Sequence, residues 1–247
     1  MAKLPQLIRT APHVERRIHD ALAEERAKPS ERDGRLGMSQ LGKCERNLWA
    51  SLNGIPEDAP IEPRILLLFA HGNAIETHVI DHLRKAGFFV RDRNEAGHQF
   101  RYEDFGGKLV GHIDGMIELG SKPSDRAWCL LEIKSANTTK FDELVAVGYE
   151  SWNPEYAAQL QVYMGYARIA DSLVVVYQKD TSRLHCEKVR FDPVKFKRLV
   201  GKAERIIASP KVLDRPTEAK SQYCNYCKWC PRNQWCWGPL ADVRFAE

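Results

Sequence analysis

Four charged residues of this chain stand where apolar ones would be expected: Glu76, Asp114, Glu132 and Lys134. Glu132 and Lys134 interrupt the run Trp128-Cys129-Leu130-Leu131-Glu132-Ile133-Lys134, which otherwise reads as a covered strand. Residues two apart share a strand face, so both charges point the same way, beside Trp128 and Leu130. Taken alone, Glu-x-Lys reads as an ion pair on an edge strand. Asp114 lies in an extended segment, 106–119, whose Val110, His112, Asp114 and Met116 share one face, while Gly111 and Gly115 keep the other slim. Glu76 falls on the helical stripe Leu66, Phe69, Asn73, Glu76, Ile80, Leu83. Gly72, one turn earlier, leaves room for a backbone or ligand to come close. Carboxylates on inward faces need a cation or strong donors. Three of them beside a lysine suit a hard divalent cation, Mg²⁺ or Mn²⁺. Such an ion can generate hydroxide and neutralise a phosphodiester under attack, with the lysine orienting the water and steadying developing charge.

A second group is the cysteines Cys224, Cys227, Cys230 and Cys236, with Cys44 far upstream. Their spacing signals ligation, and it suits zinc and an iron–sulfur cluster equally well. Residues 1–30 have no apolar core of the signal-peptide kind and read as an amphipathic helix, so a reducing, cytoplasmic setting is expected. The seven cysteines then form no disulfide framework. Cys129 and Cys186 read as buried cysteines within strands. His78 and His82 have the spacing of a helical metal pair but lie off the Glu76 stripe, and read as surface histidines.

The elements that must position these groups follow from periodicity and punctuation. At 247 residues the chain can bury a full core, and no run is long enough to span a membrane. A first helix is predicted over 11–28, then a polar link through Gly37. Ser39 can cap a second helix whose Leu41, Cys44, Leu48 and Leu52 recur at helical spacing, placing Cys44 on its inward face. A longer helix is predicted from Pro63 to Lys85, stopped at Gly87. Strands are expected from Phe88, over 97–101 and over 106–119. After a turn beginning at Gly120 comes the Glu132 strand, completing an antiparallel meander. Asn153-Pro154 starts a helix to about residue 170, with Gln159 and Tyr163 one turn apart on one face. Strands over 172–177 and 184–191 follow, then a helix from Asp192-Pro193 to about 209. The tail, 222–237, has no period and needs something other than a core to order it. The net charge is only +4, but Lys195, Lys197, Arg198, Lys202, Arg205, Lys211, Arg215, Lys220, Lys228 and Arg232 make the C-terminal third basic, either a phosphate-tracking surface or a solvated face.

Together these motifs resemble the RecB-like, iron–sulfur branch of the PD-(D/E)xK nucleases, including the CRISPR-associated RecB-like exonucleases and AddAB-type nuclease domains. The likeness runs from Cys44 to Cys236. Gly72-x-x-x-Glu76 matches the first helix motif, where many relatives carry His. Gly111-His-Ile-Asp114-Gly matches the metal-binding aspartate motif, Glu132-Ile-Lys134 the (D/E)xK motif, and Gln159-x-x-x-Tyr163 the helix motif of this branch. The resemblance implies an α/β fold, a central mixed sheet flanked by helices. An N-terminal helical segment (1–62), a nuclease core (63–209) and a cysteine-rich segment (210–247) would form one compact unit. It also implies that Asp114, Glu132 and the Ile133 carbonyl bind Mg²⁺ or Mn²⁺, with Glu76 completing the shell. Lys134 would position the attacking water, and Gln159 and Tyr163 would orient the site and contact DNA. Cys44, Cys227, Cys230 and Cys236 would hold a structural 4Fe–4S cluster, zinc being the alternative, and Cys224 would be spare. Tyr226, Trp229, Trp235 and Trp237 would shield that cluster or stack on unpaired bases. The implied activity is a metal-dependent deoxyribonuclease, an exonuclease on single-stranded DNA ends in recombination, repair or processing. The alternatives are a double-strand end-resection nuclease and a non-catalytic DNA-binding scaffold subunit with a structural four-cysteine site. No helicase or nucleotide-binding motif is present, so unwinding would fall to a helicase, recombinase or integrase partner in a bacterial or phage-infected cell.

Overall fold

The computed structural model describes residues 11–28, 33–120 and 122–238. In chain order its elements are α1 (Pro12–Ala27), β1 (Leu36–Gly37), α2 (Glu45–Leu52), α3 (Pro63–Lys85), β2 (Val90–Arg91), β3 (Arg101–Asp104), β4 (Leu109–His112), β5 (Gly115–Leu119), β6 (Ala127–Ala136), α4 (Thr138–Val147), α5 (Tyr149–Trp152), α6 (Pro154–Ala167), β7 (Asp171–Gln178), β8 (Leu184–Arg190), α7 (Pro193–Ala208) and α8 (Asn233–Trp237).

The apolar run of the Glu132 strand is buried from Cys129 to Ile133 because both of its faces are covered. On one face Cys129, Leu131 and Ile133 pack with Ile75, Val79 and Ile80 of α3 and with Val175. On the other, Leu130 joins the larger core with Leu160, Val162 and Met164 of α6 and Val174 and Val176 of β7. The strand is thus the middle of a five-stranded sheet ordered β2-β5-β6-β7-β8. Its pairing with β5 is antiparallel, and with β7 parallel, Ile133 opposite Val175. A parallel partner requires a crossover. Here α4, α5 and α6 make it, which is why the mixed sheet is flanked by helices. A separate three-stranded sheet has the order β1-β4-β3.

Several sequence expectations are corrected. Segment 106–119 is not one strand: it breaks at Ile113-Asp114, leaving β4 in the small sheet and β5 in the large one, so the expected single meander is divided. The second helix begins at Glu45, after a 3₁₀ turn over Met38–Gln40. Met38 and Leu41 are drawn fully into the core there, and Cys44 precedes the helix instead of lying on its inward face. The buried residues of α3 are Leu66, Ile75, Val79 and Ile80, whereas Phe69 is 56% exposed. A 23-residue helix outreaches the sheet beneath it, and its first half largely stands clear. An added Cβ at Gly72 would meet no atom within 4 Å, so no protein backbone makes the close approach expected there. Phe88 and Phe89 are exposed ahead of β2, and the strand expected over 97–101 begins only at Arg101. Arg168 adopts a left-handed conformation (φ 54°) that closes α6 at Ala167. Cys129 is buried as expected, but Cys186, on the edge strand β8, is exposed. Helix α1 has no buried residue. The remainder of the expected amphipathic stretch 1–30, Ser121 of the expected turn, and residues 239–247 of the cysteine-rich segment lie outside the described residues. Among the described residues no helix is long and apolar enough to cross a membrane.

Candidate active site and cysteine recess

The break before β5 is what places Asp114. Gly115 pairs with Leu131, so Asp114 comes alongside the next residues of β6, and its Oδ2 accepts the Ile133 backbone N–H at 2.7 Å. Glu132 and Lys134 project to one side of β6, as strand alternation requires, and form an ion pair through Glu132 Oε1. From α6, Gln159 Nε2 donates to the same Oε1 at 2.7 Å. Asn153 positions that helix, its Oδ1 accepting from the N–H groups of Glu155 (3.1 Å) and Tyr156 (3.2 Å). Glu76 arrives half-buried from α3 and accepts a long bond from Gln99 Nε2 at 3.4 Å.

The structure thus brings together Asp114, Glu132, Lys134 and Gln159, with Glu76 within their electrostatic reach. The ring of Tyr163 packs in the core over Gly111, beside Met38, where a Cβ on Gly111 would fall 2.6 Å from the ring. The aromatic ring beside Lys134 is that of Tyr156, two turns earlier than Tyr163, and its centre is 5.1 Å from Lys134 Nζ. Residues 155–159 place Tyr156 and Gln159 on one helix face, a signal the sequence carries but cannot rank against Tyr163. Tyr149 of α5 is fully buried, its ring centre 6.1 Å from that of Trp152.

The electrostatics describe a site short of positive charge. Burial, with Asp114 nearby, pushes Glu76 up to about 7. Burial, against the attraction of Lys134 and together with Asp114, pushes Glu132 up to about 7 as well. Asp114 is raised by burial, against Lys134 and the Ile133 amide. Burial would lower Lys134, but Glu132 and Asp114 outweigh it and hold the ammonium above its ordinary range, so it stays charged. Glu132 Oε2 is buried and has no hydrogen-bond partner. Among the described residues no three His, Cys, Asp or Glu already surround a single-ion position. Oxygen donors that are crowded, desolvated and partly unpartnered nevertheless fit a hard divalent cation, whose charge would answer all three carboxylates. His78 and His82 are exposed as expected, the Nδ1 of His82 lying 2.8 Å from the His78 carbonyl.

Cys44, Cys227, Cys230 and Cys236 line one small recess together with Tyr226, Trp235 and Trp237. Cys224 is not among its walls, and its sulfur lies 3.8 Å from the Glu218 carbonyl. Burial pushes the Cys227 thiol up to about 11, against a smaller opposing influence of the nearby Trp237 indole. Four cysteines lining one recess fit a thiolate-ligated group. Trp229 departs from the shielding expectation: it is 84% exposed and is not among the recess walls, with Lys228 Nζ 5.7 Å from its ring centre. Protein hydrogen bonds also tie the tail to the N-terminal segment. Arg232 Nε donates to the Ile55 carbonyl (2.7 Å), Arg46 Nη1 to the Leu213 carbonyl (2.6 Å), and Asp58 accepts from the N–H of Gln234 (2.7 Å) and Trp235 (3.2 Å). Much of the basic C-terminal third is engaged in such contacts: Lys195 pairs with Glu150 and Arg205 with Glu45.

No protein-family model matches the chain, and no curated protein matches it by sequence. Solved structures do match its fold. LHK-Exo in complex with dAMP shares 18% identity at a TM-score of 0.51, over 72% of this chain and 88% of that one. The alkaline exonuclease LHK-Exo from Laribacter hongkongensis shares 16% identity at the same score and coverage. A protein designated SSO0001 shares 14% identity at a TM-score of 0.51, over 93% of this chain and 98% of that one. In fold, this chain is similar to an alkaline exonuclease.

Proposed function

We propose that this protein is a Mg²⁺- or Mn²⁺-dependent deoxyribonuclease of the PD-(D/E)xK kind, acting as an exonuclease on single-stranded DNA ends. The observation that carries the reading is the buried constellation of Asp114, Glu132 and Lys134, with Glu132 Oε2 left unpartnered. Likeness in fold to an alkaline exonuclease, LHK-Exo, itself solved in complex with dAMP, supports the same class. Asp114, Glu132 and the Ile133 carbonyl would hold the cation, with Glu76 completing the shell from α3. When bound, the cation supplies Lewis acidity and lowers the pKa of a coordinated water.

The chain's own groups do the rest. Lys134 is held charged, so it acts as a donor to the attacking water and to the phosphate oxygens that gain charge, and not as a base. Gln159 keeps Glu132 Oε1 turned toward Lys134, leaving Oε2 for the cation. The Tyr156 ring braces the ammonium. Cys44, Cys227, Cys230 and Cys236 would carry a 4Fe–4S cluster that pins the tail to the N-terminal segment. Trp229 and Tyr223, both exposed and flanked by Lys228 and Lys220, offer rings on which unpaired bases can stack, which favours single-stranded substrate. The test is degradation of end-labelled linear single-stranded DNA, internally labelled circular single-stranded DNA and end-labelled linear duplex, with Mn²⁺ and with EDTA. Metal-dependent loss of the linear single strand is expected, with the circle spared. Cutting of the circle, or a preference for duplex, contradicts the stated specificity.

A further inference from the structure

Helix α1 runs for 16 residues against α3, yet it contributes no side chain to either hydrophobic core. A lone helix of that length is marginal in water, and helices in proteins hold chiefly through a packed apolar face. Here that face is open. Val14 is 49% exposed and Ile18 48%, and Leu22, next along the stripe, is half-buried. The α3 turn Leu67-Leu68-Phe69 is exposed as well.

The charges of α1 indicate what covers the stripe. At about 100° per residue, Val14, Ala21 and Leu22 share a face with Ile18. Glu15 and Arg26 fall on one flank of that face, Arg17 and Glu24 on the other. None of these four forms an ion pair among the described residues. When two copies of a helix face each other antiparallel about a two-fold axis, like flanks meet. Glu15 and Arg26 are equidistant from a point between Asp20 and Ala21, and so are Arg17 and Glu24. One register therefore sets Glu15 level with the partner's Arg26 and Arg17 level with the partner's Glu24, and the symmetry makes each pair twice. The same register brings Ile18 beside the partner's Leu22, with the small Ala21 at the centre letting the backbones approach.

We propose that α1 is a self-association element: two copies of this chain pair through it, antiparallel about a two-fold axis, with Val14, Ile18 and Leu22 as the apolar seam. A short seam flanked by exposed ion pairs makes a small interface, so the dimer is weak and forms as concentration rises. The test is sedimentation equilibrium of the full chain over a concentration series, for wild type and three variants whose helical content is checked by circular dichroism. Wild type is expected as a monomer–dimer equilibrium, and Ile18→Asp, which puts a charge in the seam, as monomer throughout. Arg17→Glu sets acid against acid twice and is expected to weaken the dimer about tenfold. Adding Glu24→Arg to it rebuilds both pairs with their signs exchanged and is expected to restore wild-type affinity. A wild type that stays monomeric at every concentration overturns the proposal, as does an oligomer that Ile18→Asp leaves intact. A double variant no tighter than Arg17→Glu overturns the antiparallel pairing, since in a parallel pair opposite flanks meet and Arg17 faces the partner's Glu15.

Discussion

At the scale of single residues, the site is governed by the cost of desolvating carboxylates. Glu76 and Glu132 sit near 7 against an ordinary 4.5, burial being the first cause in each. A carboxylate whose folded pKa exceeds its unfolded one keeps its proton longer in the folded state. Its contribution to stability is therefore full below about 4.5 and is lost as pH rises through about 7. Without metal, the melting temperature of wild type relative to Glu132→Gln, which cannot titrate there, should fall between about pH 5 and pH 8. Mn²⁺ should reverse that fall by supplying the missing charge. A difference that stays constant with pH would show that Glu132 is not held in the raised state. Strand alternation made the shared face of Glu132 and Lys134 legible, and the helix face of Gln159 was legible too. Tyr156 was not, because its helix face is shared with other aromatic residues and only tertiary packing brings its ring to Lys134.

At the scale of elements, one glycine shows how packing and site are joined. Gly111 lies three residues before Asp114 in β4, and a Cβ there would fall 2.6 Å from the Tyr163 ring and 2.7 Å from Met38 Cβ. Gly111→Ala is expected to cost about 1–3 kcal/mol, read as a lower denaturant midpoint at unchanged slope. An unshifted midpoint would mean that the β4–α6 contact is looser than described. The same contact holds the Tyr163 ring in the core. Long helices with clear caps and stops were legible: α3 and the start of α6 fall where Pro63, Gly87 and Asn153-Pro154 put them. Two features escaped. The chain changes sheets at Ile113-Asp114 because of tertiary pairing, which the glycine-flanked, strand-like sequence does not reveal. Helix α4 opens with Thr138-Thr139, poor helix formers, and only the Asn137 cap and the spacing of Phe141 and Leu144 mark it.

At the scale of the whole molecule, the N-terminal segment and the tail meet far from each other in sequence, and four cysteines line their junction. If these hold a 4Fe–4S cluster, Cys44→Ala, Cys227→Ala, Cys230→Ala and Cys236→Ala should each abolish the brown iron–sulfur colour, whereas Cys224→Ala should keep it. A colourless, zinc-containing wild type, or loss of colour in Cys224→Ala, would contradict that assignment. The hydrogen bonds from Arg46, Arg232 and Asp58 should leave the cluster-free protein folded but less stable. The central claim is the role of the β6 lysine, and the most direct test is single-turnover cleavage of end-labelled single-stranded DNA with Mn²⁺ by wild type and Lys134→Ala. The account predicts that the variant folds, binds Mn²⁺ and cleaves at least about 100-fold more slowly, the loss expected for a donor aimed at developing charge. Cleavage by Lys134→Ala at the wild-type rate would contradict it.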